Sequence, residues 1–242
     1  MRTTALSLRE AESLFLPFNS RKLSLPTRLV MAPIPRFLAR DGVPTPEMLL
    51  YYRRRAEQLL GLIITEPVAI DDPAAASDSG MARFYGGAAL RAWKGICRAV
   101  HATSCRIVPQ LDHVGMLRPL SGDLPNPDAG PIGPSGVNPA MPDVRGESMN
   151  LSRINSVVAA FAEAARNSRL LGFDGVEING AQAGLVEQFL PRGFEWLSVS
   201  YIVTECLILA IYHSMQKQEL MREEGRTPSY TINVLLTIFL LL

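Results

Sequence analysis

Up to Leu190 the apolar positions fall alternately into short unbroken runs and helix-spaced stripes. Residues 13–30 read as a short lead-in that can form a hairpin. Leu29-Val30-Met31-Ala32 is the first strand, ended by Pro33 and Pro35, which cannot donate to a ladder. Thr45 then caps a helix with Pro46 at its first position, and the pattern carries that helix to about Leu59. After Gly61 comes Leu62-Ile63-Ile64-Thr65, a continuous apolar run of the kind buried on both faces of a parallel sheet. A second helix is predicted over Ala88–Ala102, with Leu90, Trp93, Ile96, Cys97 and Val100 on one face. Arg106 to Leu111 is the third strand. The stretch from Arg118 to Ser148, rich in Pro and Gly, reads as a long irregular loop of the kind that is either a functional lid or disordered. Asn150 caps a third helix with a stripe at Ile154, Val157, Val158, Phe161, Ala165 and Leu170; Gly172 ends it, and Gly175–Ile178 is strand four.

This β-α-β-α-β-α-β order, with buried-type strands, predicts right-handed crossovers and a parallel sheet. Chemistry then belongs at the carboxyl ends of the strands. Those ends read Ala32-Pro33-Ile34-Pro35-Arg36, Thr65-Glu66-Pro67, Gln110-Leu111-Asp112-His113 and Asn179-Gly180-Ala181-Gln182. A closed barrel of such units needs eight, in roughly 250 residues, and about half are present.

After Pro191-Arg192-Gly193 the alternation stops. Two apolar runs follow, Leu197–Tyr212 and Thr231–Leu242, separated by a charged patch. The first is shorter than the ~20 residues of a membrane span and contains Glu205. Membrane insertion, a helix packed on an open barrel edge, and sequence not selected for this fold all remain open; the abrupt loss of pattern points to the last. The expected division is residues 1–190 as half a barrel and residues 191–242 as an unrelated apolar tail, helical or disordered.

Composition narrows the class. The 242 residues are 48% hydrophobic and 19% charged, enough for a substantial core, and the net charge of +1 supplies no field for nucleic acid. Arg53-Arg54-Arg55 reads as a solvated helix face rather than a phosphate patch. Cys97, Cys105 and Cys206, odd in number and widely spaced, argue against disulfides or zinc and fit a reducing cytoplasm. The N-terminus shows no apolar stretch of signal-peptide length before Arg9 and Glu10.

The strand ends carry a resemblance. Leu29-Val30-Met31-Ala32-Pro33, Gly61-Leu62-Ile63-Ile64-Thr65-Glu66, Gln110-Leu111 with His113-Val114-Gly115, Gly172-Phe173-Asp174-Gly175-Val176-Glu177-Ile178 and Gln188-Phe189-Leu190 together resemble the Old Yellow Enzyme family of FMN-dependent NAD(P)H oxidoreductases. The resemblance implies a TIM (β/α)8 barrel, here about four βα units, with FMN at its carboxyl mouth. NADH or NADPH passes hydride to the flavin, which passes it to the β-carbon of an activated alkene such as an enone. It places the backbone of Pro33, Ile34 and Pro35 against the flavin, the backbone at Pro67 at its polar edge, and the Gln110 amide on its pyrimidine ring. It gives Asn179 and Gln182 the role of gripping the substrate carbonyl.

The chain departs from the family pattern at several of these positions. Pro35 stands where a small polar residue is common, and Pro67, with no N–H, where Gly or Ala is usual. Asn179 and Gln182 replace a His with a second His or Asn, Gly184 replaces a proton-donating Tyr, and Asp112 replaces a Trp. The phosphate loops of such barrels follow strands seven and eight. The resemblance implies an ene-reductase; the alternative is a non-catalytic half-barrel fragment that associates with another chain, with self-association through its open edges. His113 reads as structural, Arg36 as a brace of the mouth, Cys97 as packing, and Glu66 and Glu177 as strand-end carboxylates rather than an acid/base pair.

Overall fold

Thr45 starts the first long helix through its side chain. Its Oγ1 accepts the Met48 N–H at 3.4 Å, and Pro46 takes the first helical position, where an N–H has no partner to meet. The computed structural model describes residues 12–20 and 23–190; both apolar runs after Leu190, and Cys206, lie outside the described residues. The helix, α1 (Pro46–Ala56), stops short of the expected Leu59. Thr27 Oγ1 donates to the Leu59 carbonyl at 2.7 Å and Leu59 adopts φ +58°, so a long-range bond draws the chain out of the helix. Gly61 follows because an added Cβ there would lie 2.1 Å from the Thr27 carbonyl oxygen.

Four strands, β1 (Val30–Met31), β2 (Leu62–Ala69), β3 (Arg106–Asp112) and β4 (Glu177–Ile178), form one parallel sheet in chain order. The helices α1, α2 (Gly87–His101) and α3 (Leu151–Leu171) make the crossovers, α2 packing between the other two. Side chains alternate across the sheet. Ile63 and Ile107 join the helix-side core, whereas Leu62, Ile64 and Val108 pack with Leu23 and Leu25 of the lead-in, whose Phe18–Asn19 pairs with Ser24–Leu25 as a hairpin. On the helix side Tyr52, Phe84, Trp93 and Phe173 form an aromatic cluster with centroids 5.5 to 6.3 Å apart.

Strand β2 is longer than the predicted Leu62–Thr65. Pro67 cannot donate to the ladder, yet the pairing resumes beyond it because the register with β3 shifts between Ile64 and Pro67. Thr65 Oγ1 fills the gap by accepting the Gln110 N–H at 3.2 Å. Strands β1 and β4 are shorter than predicted. Among the described residues each pairs on one side only, and Val30 is 48% exposed.

Asn150 Oδ1 caps α3 by accepting the Arg153 N–H at 2.9 Å, and Gly172 ends it with φ +92°. Asp174 then accepts the Ile107 N–H at 2.8 Å together with His101 Nε2 and Arg106 Nη1, locking the entry of β4 beside β3.

The predicted irregular stretch after Arg118 is held in place by hydrogen bonds. Ile132–Gly133 pairs in parallel with Glu147–Ser148. Arg118 is buried at 1% exposure and donates to the carbonyls of Ala76, Pro125, Asn126 and Ala129. Asn138 Nδ2 donates to the Met116 carbonyl at 2.7 Å. Arg118→Met keeps the aliphatic bulk and strands those carbonyls, at about 1–3 kcal/mol for each left unpaired. The expected outcome is a lower melting midpoint and new proteolytic cleavage between residues 119 and 148, measured by mass spectrometry of limited digests.

Candidate active site

Because the four strands run the same way, their carboxyl ends open on one side of the sheet. A cavity of about 150 Å³ lies there. Pro35 approaches it from the segment after β1, Glu66 and Pro67 from β2, Asp112 from the end of β3, and Asn179, Gln182 and Gly184 from the turn after β4. Met81, Val114 and Leu117 supply apolar wall. The turn that carries Gln182 is strained: Gln182 and Ala183 both have positive φ, +59° and +56°, a conformation that L-residues avoid.

Two carboxyl groups line this cavity and their surroundings differ. Glu66 Oε1 accepts the hydroxyl of buried Tyr52 at 3.2 Å, and Oε2 accepts the Arg36 N–H at 3.0 Å. Burial raises its pKa while those donors oppose the rise. Both oxygens are committed to tying α1 and the β1 exit to β2, a structural duty that agrees with the sequence reading. Asp112 is 5% exposed and receives one side-chain hydrogen bond, from Asn179 Nδ2 to Oδ1 at 3.1 Å. Burial dominates over that bond and the His113 N–H, and pushes the Asp112 carboxyl up to about 6.

Asn179 is fixed from three directions. Its N–H donates to the Leu111 carbonyl, its Oδ1 accepts the Ala181 N–H at 3.1 Å, and its Nδ2 holds Asp112. The second amide hydrogen is what the group retains for a ligand. Gln110 lies one layer below the cavity, buried, with Nε2 in a long 3.4 Å contact with Glu177 Oε1. Ile34 is exposed and its N–H is used by the Ala32 carbonyl at 3.0 Å; Pro33 and Pro35 have none to give.

Behind the cavity a second cluster braces the loops. Arg153 from α3 donates to both oxygens of Asp72, at 2.8 Å from Nη2 to Oδ1, and His113 Nε2 donates to Oδ1 at 3.2 Å. The Gly115 N–H points at His113 Nδ1 at 2.9 Å, which assigns the ring proton to Nε2. Burial holds His113 below its ordinary value, so the ring is neutral at pH 7 and structural. Burial alone would raise Asp72, but the His113 and Arg153 bonds outweigh it and hold the carboxyl well below the usual range. Cys97 and Cys105 are buried thiols pushed up to about 12 by burial, which suits packing and not nucleophilic chemistry.

Residues 13–195 match the NADH:flavin oxidoreductase / NADH oxidase family. The chain belongs to this family. It is 35% identical over 181 residues to a chanoclavine-I aldehyde reductase of Penicillium roqueforti, covering 73% of this chain and 48% of the relative. It is 34% identical over 186 residues to a probable inactive reductase of Epichloe festucae var. lolii, covering 74% and 47%. Morphinone reductase in complex with tetrahydroNAD is a structural neighbour with TM-score 0.72 and 28% identity, over 84% of this chain and 61% of that one. The chain thus spans about half the length of the curated relatives it matches. The Old Yellow Enzyme resemblance and the α/β barrel class agree with these findings, and the family is one of NADH:flavin oxidoreductases. Among the described residues no helix is long and apolar enough to cross a membrane.

The residues present suit one part of a flavin mononucleotide. The apolar wall of Met81, Val114 and Leu117 suits its flat ring, while Gln110, whose Nε2 meets Glu177 Oε1, stands outside the cavity lining. Among the described residues no basic side chain lines the cavity.

Four of the seven residues expected at this site, Pro35, Pro67, Asn179 and Gln182, line one cavity; Pro33, Ile34 and Gln110 stand outside its lining. Sequence reading noted Asp112 only as a departure from the family pattern and gave no role to Asp72, Arg153 or Arg118. The signals present were an Asp-His pair closing β3 and an Arg in the first turn after a capping Asn.

The two aspartates set opposite pH dependences. Asp72, with a depressed folded value, contributes stability that is fully present above its ordinary 3.8 and lost as pH falls below it. Asp112, raised to about 6, contributes stability that is fully present below 3.8 and lost as pH rises through about 6. Asp112→Asn is expected to flatten the decline between pH 4 and 7 by as much as about 3 kcal/mol. Asp72→Asn is expected to destabilise the chain above pH 4 by about 3–5 kcal/mol, because Arg153 loses its partner. Urea unfolding at fixed pH steps measures both.

Proposed function

We propose that this mouth binds the ring of FMN and reduces a small alkene activated by a carbonyl group, with NADH or NADPH as the hydride donor. The observation that supports the reading is the convergence of Pro35, Pro67, Asn179 and Gln182 on one cavity at the strand ends. When bound, the flavin supplies the hydride equivalent. The chain supplies orientation and polarisation. Asn179, held by Asp112 and by the Ala181 N–H, presents its remaining amide hydrogen in a fixed direction. A donor that does not reorganise as negative charge grows on the carbonyl oxygen stabilises the transition state more than the ground state. Gln182, on the strained turn, supplies the second donor. The apolar wall of Met81, Val114 and Leu117 keeps water from the reacting carbons.

A second reading is favoured by the sheet edges. Among the described residues β1 and β4 pair on one side only, and Val30, Ile34, Phe37 and Leu38 are exposed beside β1. In that reading the chain is a non-catalytic half-barrel that associates with another chain. A colourless species whose sedimentation coefficient rises with concentration supports it; a yellow monomer supports the first.

Two outcomes are expected of the first reading. Because no basic group lines the cavity, riboflavin and FMN bind with the same Kd in fluorescence titrations. A phosphate held by charge-assisted bonds, worth about 1.5–3 kcal/mol each, would separate them tenfold or more. Asn179→Ala lowers kcat for a cyclic enone about 100-fold, the usual cost of one lost oxyanion donor. An unchanged kcat removes Asn179 from the site.

A further inference from the structure

Reduction of an activated alkene needs a proton for the α-carbon, and the position where the family resemblance expects a phenol is Gly184. This glycine has ordinary backbone angles, φ −62° and ψ 174°, so its lack of a side chain is not a backbone requirement. A Cβ built on it would meet Asp112 Oδ1 at 3.5 Å, an ordinary van der Waals distance. The carboxyl group therefore stands next to the place a side chain at 184 would occupy, on the same cavity as Asn179 and Gln182.

We propose that Asp112 is the proton donor of this site, delivering its carboxylic acid proton to the α-carbon of the alkene that Asn179 and Gln182 hold. The proposal rests on the alkene-reductase reading above. Asn179 donates to Oδ1, the oxygen nearest the 184 position, so the carboxylic acid proton belongs on Oδ2 and its delivery requires the carboxyl to turn Oδ2–H toward the ligand. With its carboxyl raised to about 6 by burial, Asp112 holds that proton through most of a mildly acidic range. Glu66, the other carboxyl on the cavity, is a poor candidate because both its oxygens are engaged by Tyr52 and the Arg36 N–H.

The step balances. The alkene π pair forms a C–H bond at the α-carbon with the Asp112 proton, leaving a carboxylate. The β-carbon receives a hydride equivalent from a dihydroflavin, which is oxidised by two electrons as the alkene is reduced by two. Water returns the proton to Asp112. The charged and titratable groups around it are Glu66 from β2, Glu177 of β4 at Gln110, and Asp72 with His113 and Arg153 behind the β3 loop. The last three form a closed cluster in which His113 is neutral; Glu66 is also raised by burial, so the Asp112→Asn variant is what assigns a charge change near pH 6 to Asp112.

The test combines a readout on the flavin-free chain with one on turnover. Infrared difference spectra of the apo chain are expected to show the band of a protonated carboxylic acid at pH 5, lost with a midpoint near 6 and absent in Asp112→Asn. Asn is isosteric and still accepts from Asn179, so the fold is retained, as a melt will show. In the flavin-loaded protein, Asp112→Asn slows enone reduction about 100-fold. It also removes the loss of rate that the parent shows as pH rises through 6. Adding Gly184→Tyr to Asp112→Asn restores rate without restoring that pH limb. No band lost near pH 6, or Asp112→Asn with the parent's rate and pH profile, overturns the assignment while leaving the reductase reading intact. A parent chain that binds flavin but reduces no enone overturns the reductase reading, and the proton-donor assignment with it.

Discussion

The Asp72 carboxylate is the point on which the mouth of this half-barrel depends. It follows β2, and it is gripped by His113 from the loop after β3 and by Arg153 from the first turn of α3. Two crossovers, from β2 to β3 and from β3 to β4, thus meet at one buried anion. A carboxylate taken out of water is costly unless its oxygens are fully engaged, and here a guanidinium and an imidazole N–H engage both. The same His113 ring orients the Gly115 N–H, and the 3-10 turn beginning there positions Leu117 on the cavity wall and Arg118 beneath the long loop.

A second constraint lies in Pro67. Proline in a central strand ordinarily breaks a ladder, yet β2 continues past it because the register slips and Thr65 Oγ1 substitutes for the missing backbone partner. The slip brings Glu66 and Pro67 together onto the cavity while keeping β2 fully buried. Proline also withholds an N–H at a place where the family fold offers one.

Asp112 and Asn179 bring these features to one chemical point. Neither residue alone has a reason to be buried; together they satisfy one another at 3.1 Å, at the cost of keeping the carboxyl protonated well above its ordinary range. In the proposed reaction, the acid that stands in place of an aromatic side chain is the proton source. The relatives matched by this chain include one described as a reductase and one described as a probable inactive reductase.

Much of this was legible in the residues themselves. Thr45-Pro46, Asn150 and Gly172 mark helix ends by local chemistry, and the unbroken runs at Leu62 and Ile107 mark buried parallel strands, because capping and burial act over a few residues. The strand ends named the family and four of the residues that meet at its cavity. Tertiary structure alone decided where α1 stops, since Thr27 ends it from more than thirty residues away. It decided that the stretch after Arg118 is pinned by one buried guanidinium, and that Asp112 faces Gly184 and binds Asn179, sixty-seven residues on. Local pattern records which face a residue prefers. Which distant group it meets, and hence whether its proton stays on, depends on how the crossovers bring the strand ends together.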